Sequence, residues 1–437
     1  MREEYEDVLA WLYGLEAAKG MDFKLERVAL ALKSLGDPHQ RYATVHIAGT
    51  NGKGSVAAMV HAMLGAAGRH VGLYTSPHLV SFAERIRVGS AMVTPSEVVA
   101  LAHDLRTAAT IRGIDLTFFE FVTVMAFLHF ARRGVELAVV EVGLGGRLDA
   151  TNVVDPAVSV ITTIGKDHEE FLGETLAAVA AEKGGIIKSR RPVVIGRVPD
   201  EAAAVLRQIA SERKAPAHWF GRDFSVEGTS IFCFRGFGWE VGDLMLPLRG
   251  DYQRENCAAA LAAVACLRRR FPIADDAVRH GLRNVRWPGR LEVVNERPLI
   301  ILDGAHNIDG VAALVRELPS VVGRRRVHLL FAVMRDKRWR PMVEMLGPHV
   351  VSATVTTVLP PRGETVEQLA GAFERFCPVH LAAEPQAGLE TLVQSVPADD
   401  AILVAGSLFL IGAVFPYVLS RRGERQLFDP TDAPLRS

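Results

Sequence analysis

VHIAGTNGKGSVAAMV, Val45 to Val60, sets Gly49, Gly52 and Gly54 between an apolar strand-like run and a run with helical periodicity. Glycine admits positive φ and lets the backbone come close to a ligand. A helix N-terminus adds unpaired N–H groups and partial positive charge. Strand, glycine-rich turn and helix together make a cradle for phosphate, and Lys53 inside it supplies a full charge. The spacing is not the common G-x-x-x-x-G-K-[ST], because position 47 is isoleucine and Gly54 separates Lys53 from Ser55. The competing reading is a tight strand-to-helix turn with an incidental lysine. Four coincident cues favour the cradle: strand before, helix after, glycines between, lysine within. Such a loop binds a nucleoside triphosphate and leaves open what the phosphate is used for.

Working outward, Thr44–Ala48 reads as a strand and Gly54–Ala67 as a helix. Glu136–Val142, Ala157–Ile164 and Pro192–Ile195 are further apolar runs separated by helical patterns. Strands apolar on both faces predict an α/β fold with a mainly parallel sheet covered on both sides. Ligands of such sheets sit at the carboxyl ends of the strands. Phe224 to Leu248 is glycine-punctuated, aromatic and β-branched, which predicts a small antiparallel sheet, and Asn256–Arg269 reads as a helix. Pro288 and Gly289 break that pattern, and a second α/β unit starts at Leu299 with LIILDGAHN. The expected organisation is a nucleotide-binding domain over 1–287, a linker over 288–298 and a second domain over 299–437. Arg421–Ser437 reads as a loose polar tail.

The 437 residues are 49% hydrophobic and 23% charged with zero formal net charge, an ordinary globular balance that gives no reason to expect nucleic acid or a membrane surface as partner. The arginine runs 268–270 and 324–326 border apolar segments and read as solvated helix ends or loops. The four cysteines form no C-x-x-C pair, and Cys257 and Cys266 lie in an alanine-rich helical run, as suits a reducing cytoplasm. The acidic N-terminus lacks the pattern of a secretory signal. No apolar run reaches the roughly 18 residues of a membrane span. A cytoplasmic protein is expected.

Nucleotide-bound magnesium prefers oxygen ligands, often a carboxylate at a strand end. Glu141 closes ELAVVEV, Asp167 and His168 follow the next apolar run, and Ser76 follows the strand-like His70–Tyr74. Lys183, by itself, reads as a lysine complementing a helix C-terminus. Asp303 and His306 lie directly after a strand of the second unit. Arg290, in the linker, is placed to reach across to the triphosphate.

GTNGKGS (49–55), TSPHLVSFAERI (75–86), LTFFEFVT (116–123), EVGLGGRLDATN (141–152), DH (167–168), EKGGII (182–187), WPGRLE (287–292), LDGAHN (302–307), VMRDK (333–337) and AGSLFLIG (405–412) follow one another in this order. Together they resemble the bacterial folylpolyglutamate synthase/dihydrofolate synthase family, relatives of the Mur peptidoglycan ligases, over nearly the whole chain. The resemblance implies a P-loop, Mur-ligase-like ATPase domain followed by a C-terminal Rossmann-like α/β domain. It implies an ATP-dependent ligase that joins L-glutamate to folate or dihydropteroate through an acyl phosphate. It assigns ATP to Gly49, Thr50, Asn51, Gly52, Lys53, Gly54, Ser55, Asn256, Arg290, Asp303 and His306. Magnesium, at two sites, would be held by Ser76, Glu141, His168 and a carbamylated Lys183, which replaces the helix-end reading of that lysine. Lys53, His168, Lys183 and His306 would be catalytic, and Ser76, Pro77, His78, Glu84 and Arg85 would form the folate loop. Small-molecule substrates and a monomer are implied. The chain departs from the family at Ala83, Lys166, Tyr252 and Ile308, which bears on substrate preference rather than on reaction type. Competing readings are a ligase of a peptidoglycan precursor, a nucleotide-hydrolysing switch or transport ATPase, and a dinucleotide-binding module on the second unit, which lacks G-x-G-x-x-G.

Overall fold

In the computed structural model, which describes residues 2–19 and 24–422, the chain builds three sheets. The expected tail falls almost wholly outside the described residues. The first sheet comprises β1 (Ala43–Ala48), β2 (Val71–Tyr74), β3 (Ile86–Val88), β4 (Ala91–Met92), β5 (Leu137–Glu141), β6 (Val158–Ile161), β7 (Val193–Ile195) and β8 (Ala217–Trp219), in the spatial order β4-β3-β2-β5-β1-β6-β7-β8. It is parallel from β2 to β8, with β3 and β4 as an antiparallel edge. The chain runs from β1 to the β2 and β5 side first and only then to β6 on the other, so the order reverses at β1. A crevice at that switch point is where open α/β sheets take ligands, and the glycine loop of residues 49–52 leaves β1 there.

All six residues of β1 are buried, as expected of a central strand covered on both faces. The helix Lys53–Ala66 is apolar nearly all round because it is sandwiched too: the sheet lies beneath it, and the helices Asp251–Leu267 and Asp275–Arg283 lie over it. The small antiparallel sheet, β9 (Phe224–Gly228), β10 (Phe232–Gly236) and β11 (Trp239–Leu244), sends Phe224, Phe234 and Trp239 into that same core.

The third sheet has β12 (Glu292–Glu296), β13 (Leu299–Asp303), β14 (Val327–Phe331), β15 (Ser352–Val355), β16 (Val379–Leu381) and β17 (Ala401–Ala405), ordered β12-β13-β17-β14-β15-β16. It is parallel except for β12, which pairs antiparallel with β13. The stretch read as a linker therefore contains an edge strand of the second sheet system. That strand is short and interrupted by a register shift after Val293, and Pro288 and Gly289 obscure it in sequence. The halves also share apolar packing: Val80, from the loop after β2, is buried in the cluster formed by Leu410, Ile411 and Val414 of the helix Leu408–Arg422.

One core residue makes the fold acid-sensitive. His46, fully buried in β1, bonds Thr151 Oγ1 through Nε2 at 2.8 Å, while its Nδ1 has no partner among the described residues. Burial, and then the charge of Lys188, lowers its pKa to about 3. The unfolded chain takes up this proton near pH 6.5 and the folded one does not, so stability is lost as pH falls from 6.5 towards 3. Replacing His46 with valine, which suits a buried strand, should flatten that limb. Between pH 7 and pH 5 the wild type should lose about 2 kcal/mol more than the variant in urea unfolding. Equal losses would remove His46 from the account.

Candidate active site

The loop after β1 is fastened before any ligand is considered. Thr50 N donates to Thr163 O (2.9 Å), and Thr50 Oγ1 donates to Gly165 O (3.0 Å) and accepts from Gly165 N (2.9 Å). Asn51 O accepts from the hydroxyls of Thr162 and Thr163 at 2.6 and 3.1 Å. Gly52 has φ +87°, and a Cβ there would lie 2.4 Å from Asn256 Oδ1, so only glycine fits. A Cβ on Gly54 would meet the Trp287 ring at 2.5 Å. Asn256 and the Trp287 of the WPGRLE motif thus abut this loop directly. Asn256 is held in turn, its Nδ2 donating to Gln253 Oε1 at 3.1 Å.

Lys53 starts the helix, and its ammonium donates to the carbonyls of Gly49 (3.0 Å) and Thr50 (3.1 Å). Burial lowers its pKa, with Glu141 and Asp167 acting in the opposite direction and Lys337 and Arg290 adding to the fall. Those influences place charges from four other segments around one ammonium. Glu141, at the end of β5 beside β1, is buried and pushed up to about 7 by that burial, against the pull of Lys53, the Ser76 amide and Arg290. Ser76 N donates to its Oε2 at 3.3 Å. Lys183, in the last turn of the helix Leu176–Gly184, is brought down to about 7 by burial and then by Lys53, with Asp167 and Asp149 opposing.

His168 and Asp167 follow β6, as expected, but their partner comes from the second half. Lys337 Nζ donates to Asp167 Oδ1 (2.7 Å) and to His168 Nε2 (3.0 Å). Burial alone would raise Asp167, yet the charges of Lys337, His168 and His306 hold it well below the usual carboxylate range. His168 is lowered by burial and by Lys337. Its Nε2 lone pair is engaged, so the neutral ring carries its proton on Nδ1. His306 Nδ1 donates to Gly304 O at 2.7 Å, which leaves Nε2 as an acceptor, 3.8 Å from Asp167 Oδ2. Burial, then Lys337, lowers His306 to about 4, so it is neutral at pH 7. Asp303, closing β13, accepts from Leu291 N (2.7 Å) and Ala305 N (2.8 Å) and thereby fixes the backbone next to Arg290.

The loop after β2 organises itself. Ser76–Pro77 is cis. Glu84 accepts from the amides of Leu79, Val80 and Ser81 at 2.9, 2.7 and 2.7 Å, the last being half of a capping box with Ser81. Arg85 donates to His78 Nδ1 at 2.8 Å and lies 5.3 Å over the Phe118 ring. Glu84 thus shapes the loop, and its spacing from Ser81 is the S-x-x-E signature that would have shown this.

Among the described residues no three His, Cys, Asp or Glu side chains converge as a metal site. The expected magnesium set uses only two such residues. Of it, Ser76 and Glu141 meet, whereas His168 faces Lys337. A buried carboxylate titrating near neutrality lacks a full counter-charge, and a divalent cation would supply it. Asn307 and Lys337 were not anticipated as site residues, although both lie in the motifs quoted above. A groove of about 610 Å³ between the helices Arg2–Lys19 and Pro95–Arg112 is lined by none of these groups. The charges converge elsewhere, at the carboxyl ends of β1, β5 and β6. The arrangement concentrates Lys53, Lys183, Lys337 and Arg290 around two carboxylates, which suits a polyanion meeting a second anion.

Comparison with known proteins agrees with the geometry. The Mur ligase middle domain matches residues 47–264, and the Mur ligase glutamate ligase domain matches 289–408. The chain is 35% identical to the folylpolyglutamate synthase of Lacticaseibacillus casei, over 94% of its own length and 97% of that protein's. It is 32% identical to the dihydrofolate synthase/folylpolyglutamate synthase of Escherichia coli K12, over 94% and 96%. The solved structure of E. coli FolC in complex with DHPP and ADP superposes with a TM-score of 0.88 at 32% identity, covering 95% of this chain and 98% of that one.

Proposed function

Because this chain belongs to the folylpolyglutamate synthase/dihydrofolate synthase family of Mur ligases, and is thus an ATP-dependent ligase that adds L-glutamate to folates, we propose how its residues divide the work and that it accepts both dihydropteroate and reduced folates. The two relatives carry both names between them, and the chain covers nearly all of each. We assign residues 1–287 to ATP and 299–437 to glutamate, with 288–298 connecting them and lending β12 to the second half. A single chain supplies both halves of the site, so we infer a monomer as the acting unit.

A carboxylate is a poor electrophile and its oxygen a poor leaving group. ATP provides the γ-phosphoryl group that turns it into an acyl phosphate; the neutral amine of glutamate attacks, and phosphate leaves. Folate carboxylate and γ-phosphate repel one another, so the protein's part is to hold them together and offset their charge. The single observation that carries this reading is the gathering of Lys53, Lys337 and Arg290 about the loop after β1. Lys53 and the amides of Gly49–Ser55 would hold the phosphates, with Asn256, Arg290, Asp303 and His306 completing the nucleotide site. The loop from Ser76 to Arg85, shaped by Glu84, would flank the folate. Magnesium, when bound, neutralises phosphate charge. Ser76 and Glu141 would hold it, joined by a carbamylated Lys183 and by His168 once Nε2 is released from Lys337. Closure of the two halves would keep water from the acyl phosphate.

Purified protein supplied with ATP, magnesium and labelled glutamate should incorporate label into dihydropteroate and into tetrahydrofolate, offered separately, with ADP released in step. Incorporation into one acceptor alone would limit the activity to that acceptor. ADP release without any amide product would overturn the ligase assignment.

A further inference from the structure

Asn307 sits between Asp303–His306 and the helix Ile308–Val322, and its amide uses its whole hydrogen-bonding capacity. Its Oδ1 accepts from Gly310 N (2.8 Å), capping the helix, and from Asn51 Nδ2 (3.1 Å). Its Nδ2 donates to Asn51 Oδ1 (3.0 Å) and to Asp167 Oδ2 (3.1 Å). The side chain is buried. The backbone amide at Gly310 must be met by an acceptor, so the cap fixes which way the Asn307 amide points, and the two bonds with Asn51 follow from that orientation.

Asn51 is bound from both directions. Its main chain is held by Thr162 and Thr163 of the first half, and among the described residues its side chain is held only by Asn307 of the second. Lys53 lies two residues further on. Asp167 is bound twice by the second half, through Asn307 on Oδ2 and Lys337 on Oδ1. One amide therefore ties the second half to the loop after β1 and to the turn after β6 at once.

We propose that Asn307 is a positioning residue that registers the second half of the molecule against the phosphate loop through Asn51 and against the His168 turn through Asp167. The loop then has its working shape only when the halves are docked. This goes beyond the residue roles given above, though it rests on residues 49–55 being the nucleotide loop. No other side chain meets the demand. Aspartate has the cap oxygen but no donors, serine caps without bridging, and glutamine is one methylene too long for the cap geometry.

Asn307→Asp separates the two roles. It keeps an oxygen for Gly310 N at a helix end that favours negative charge, so the fold should survive, but it turns a carboxylate oxygen towards Asp167 and Asn51 Oδ1. The expected result is a kcat for ADP-coupled ligation about 10²-fold below wild type, as misplacement by an ångström can produce. The Kd for a non-hydrolysable ATP analogue with magnesium should change by less than about threefold, since the loop's main-chain anchors remain. Asn307→Ser, which keeps a cap without adding charge, should lie between; if the aspartate variant melts, the serine variant carries the test. In a double-mutant cycle on kcat, Asn51→Ala and Asn307→Ala together should cost far less than the product of their separate effects. Wild-type kcat in Asn307→Asp and Asn307→Ser, an analogue affinity that falls as far as kcat, or independent effects in the cycle would each overturn the proposal. If Lys53→Ala binds the analogue as tightly as wild type, the phosphate-loop reading fails instead.

Discussion

Lys53→Ala will lower ADP-coupled glutamate ligation about 10³-fold, the upper range for removing one preorganised electrostatic group, and will leave the thermal midpoint within a few degrees of wild type. The asymmetry comes from where the ammonium sits. It is half-buried at the first position of the helix Lys53–Ala66, bonded to two loop carbonyls, and its pKa is depressed by desolvation. A charge so placed adds little to stability, because burial cancels much of what its bonds contribute. Alanine is also the best helix former for that position. In the reaction the same charge faces a phosphoryl group in transfer, where nothing else on the loop can replace a full positive charge. The variant should also lose affinity for an ATP analogue in titration calorimetry. Wild-type turnover would show that the phosphates lie elsewhere.

Much of this was legible in the sequence because the cues are local. The apolar runs around Val45, Val139 and Val160 are strands because both faces of the first sheet are covered. The turn at 49–52 needs glycine for its own backbone and its own neighbours. The misses are relations between distant segments. Lys337 lies 169 residues beyond His168 yet occupies its Nε2. No spacing rule reports such a contact; it exists only because the carboxyl ends of two separate sheets face each other. Asn307 was hidden differently. It stands next to His306, and attention to the titratable pair Asp303 and His306 obscures an amide whose first task, capping a helix, looks merely structural. β12 was hidden by Pro288 and Gly289, which signal a break and sit directly before a short edge strand. Glu84 reads as a group for ligand, and its carboxylate turns out to be committed to three amides of its own loop.

Lys183→Arg should remove nearly as much activity as Lys53→Ala, about 10²- to 10³-fold, although it preserves the positive charge. That outcome separates the two readings of this lysine. Were Lys183 present only to complement the end of the helix Leu176–Gly184, arginine would serve equally well and activity would be close to wild type. As the site of a carbamate it must first be a neutral amine, since only the unprotonated nitrogen adds to carbon dioxide. Burial brings it down to about 7, so roughly half the amines are free at neutral pH, where an ordinary lysine would have fewer than one in a thousand. The neutral fraction falls about fivefold from pH 7 to pH 6 and about tenfold for each further unit, and carbamate should fall with it. Arginine stays protonated at any of these pH values and cannot react. Protein equilibrated with ¹³C-bicarbonate should therefore show one slow-exchanging carbamate resonance that is absent from Lys183→Arg and weakens on acidification. A resonance that persists in the variant, or an arginine variant with wild-type rate, would return Lys183 to its structural role and leave Ser76 and Glu141 to hold the metal without it.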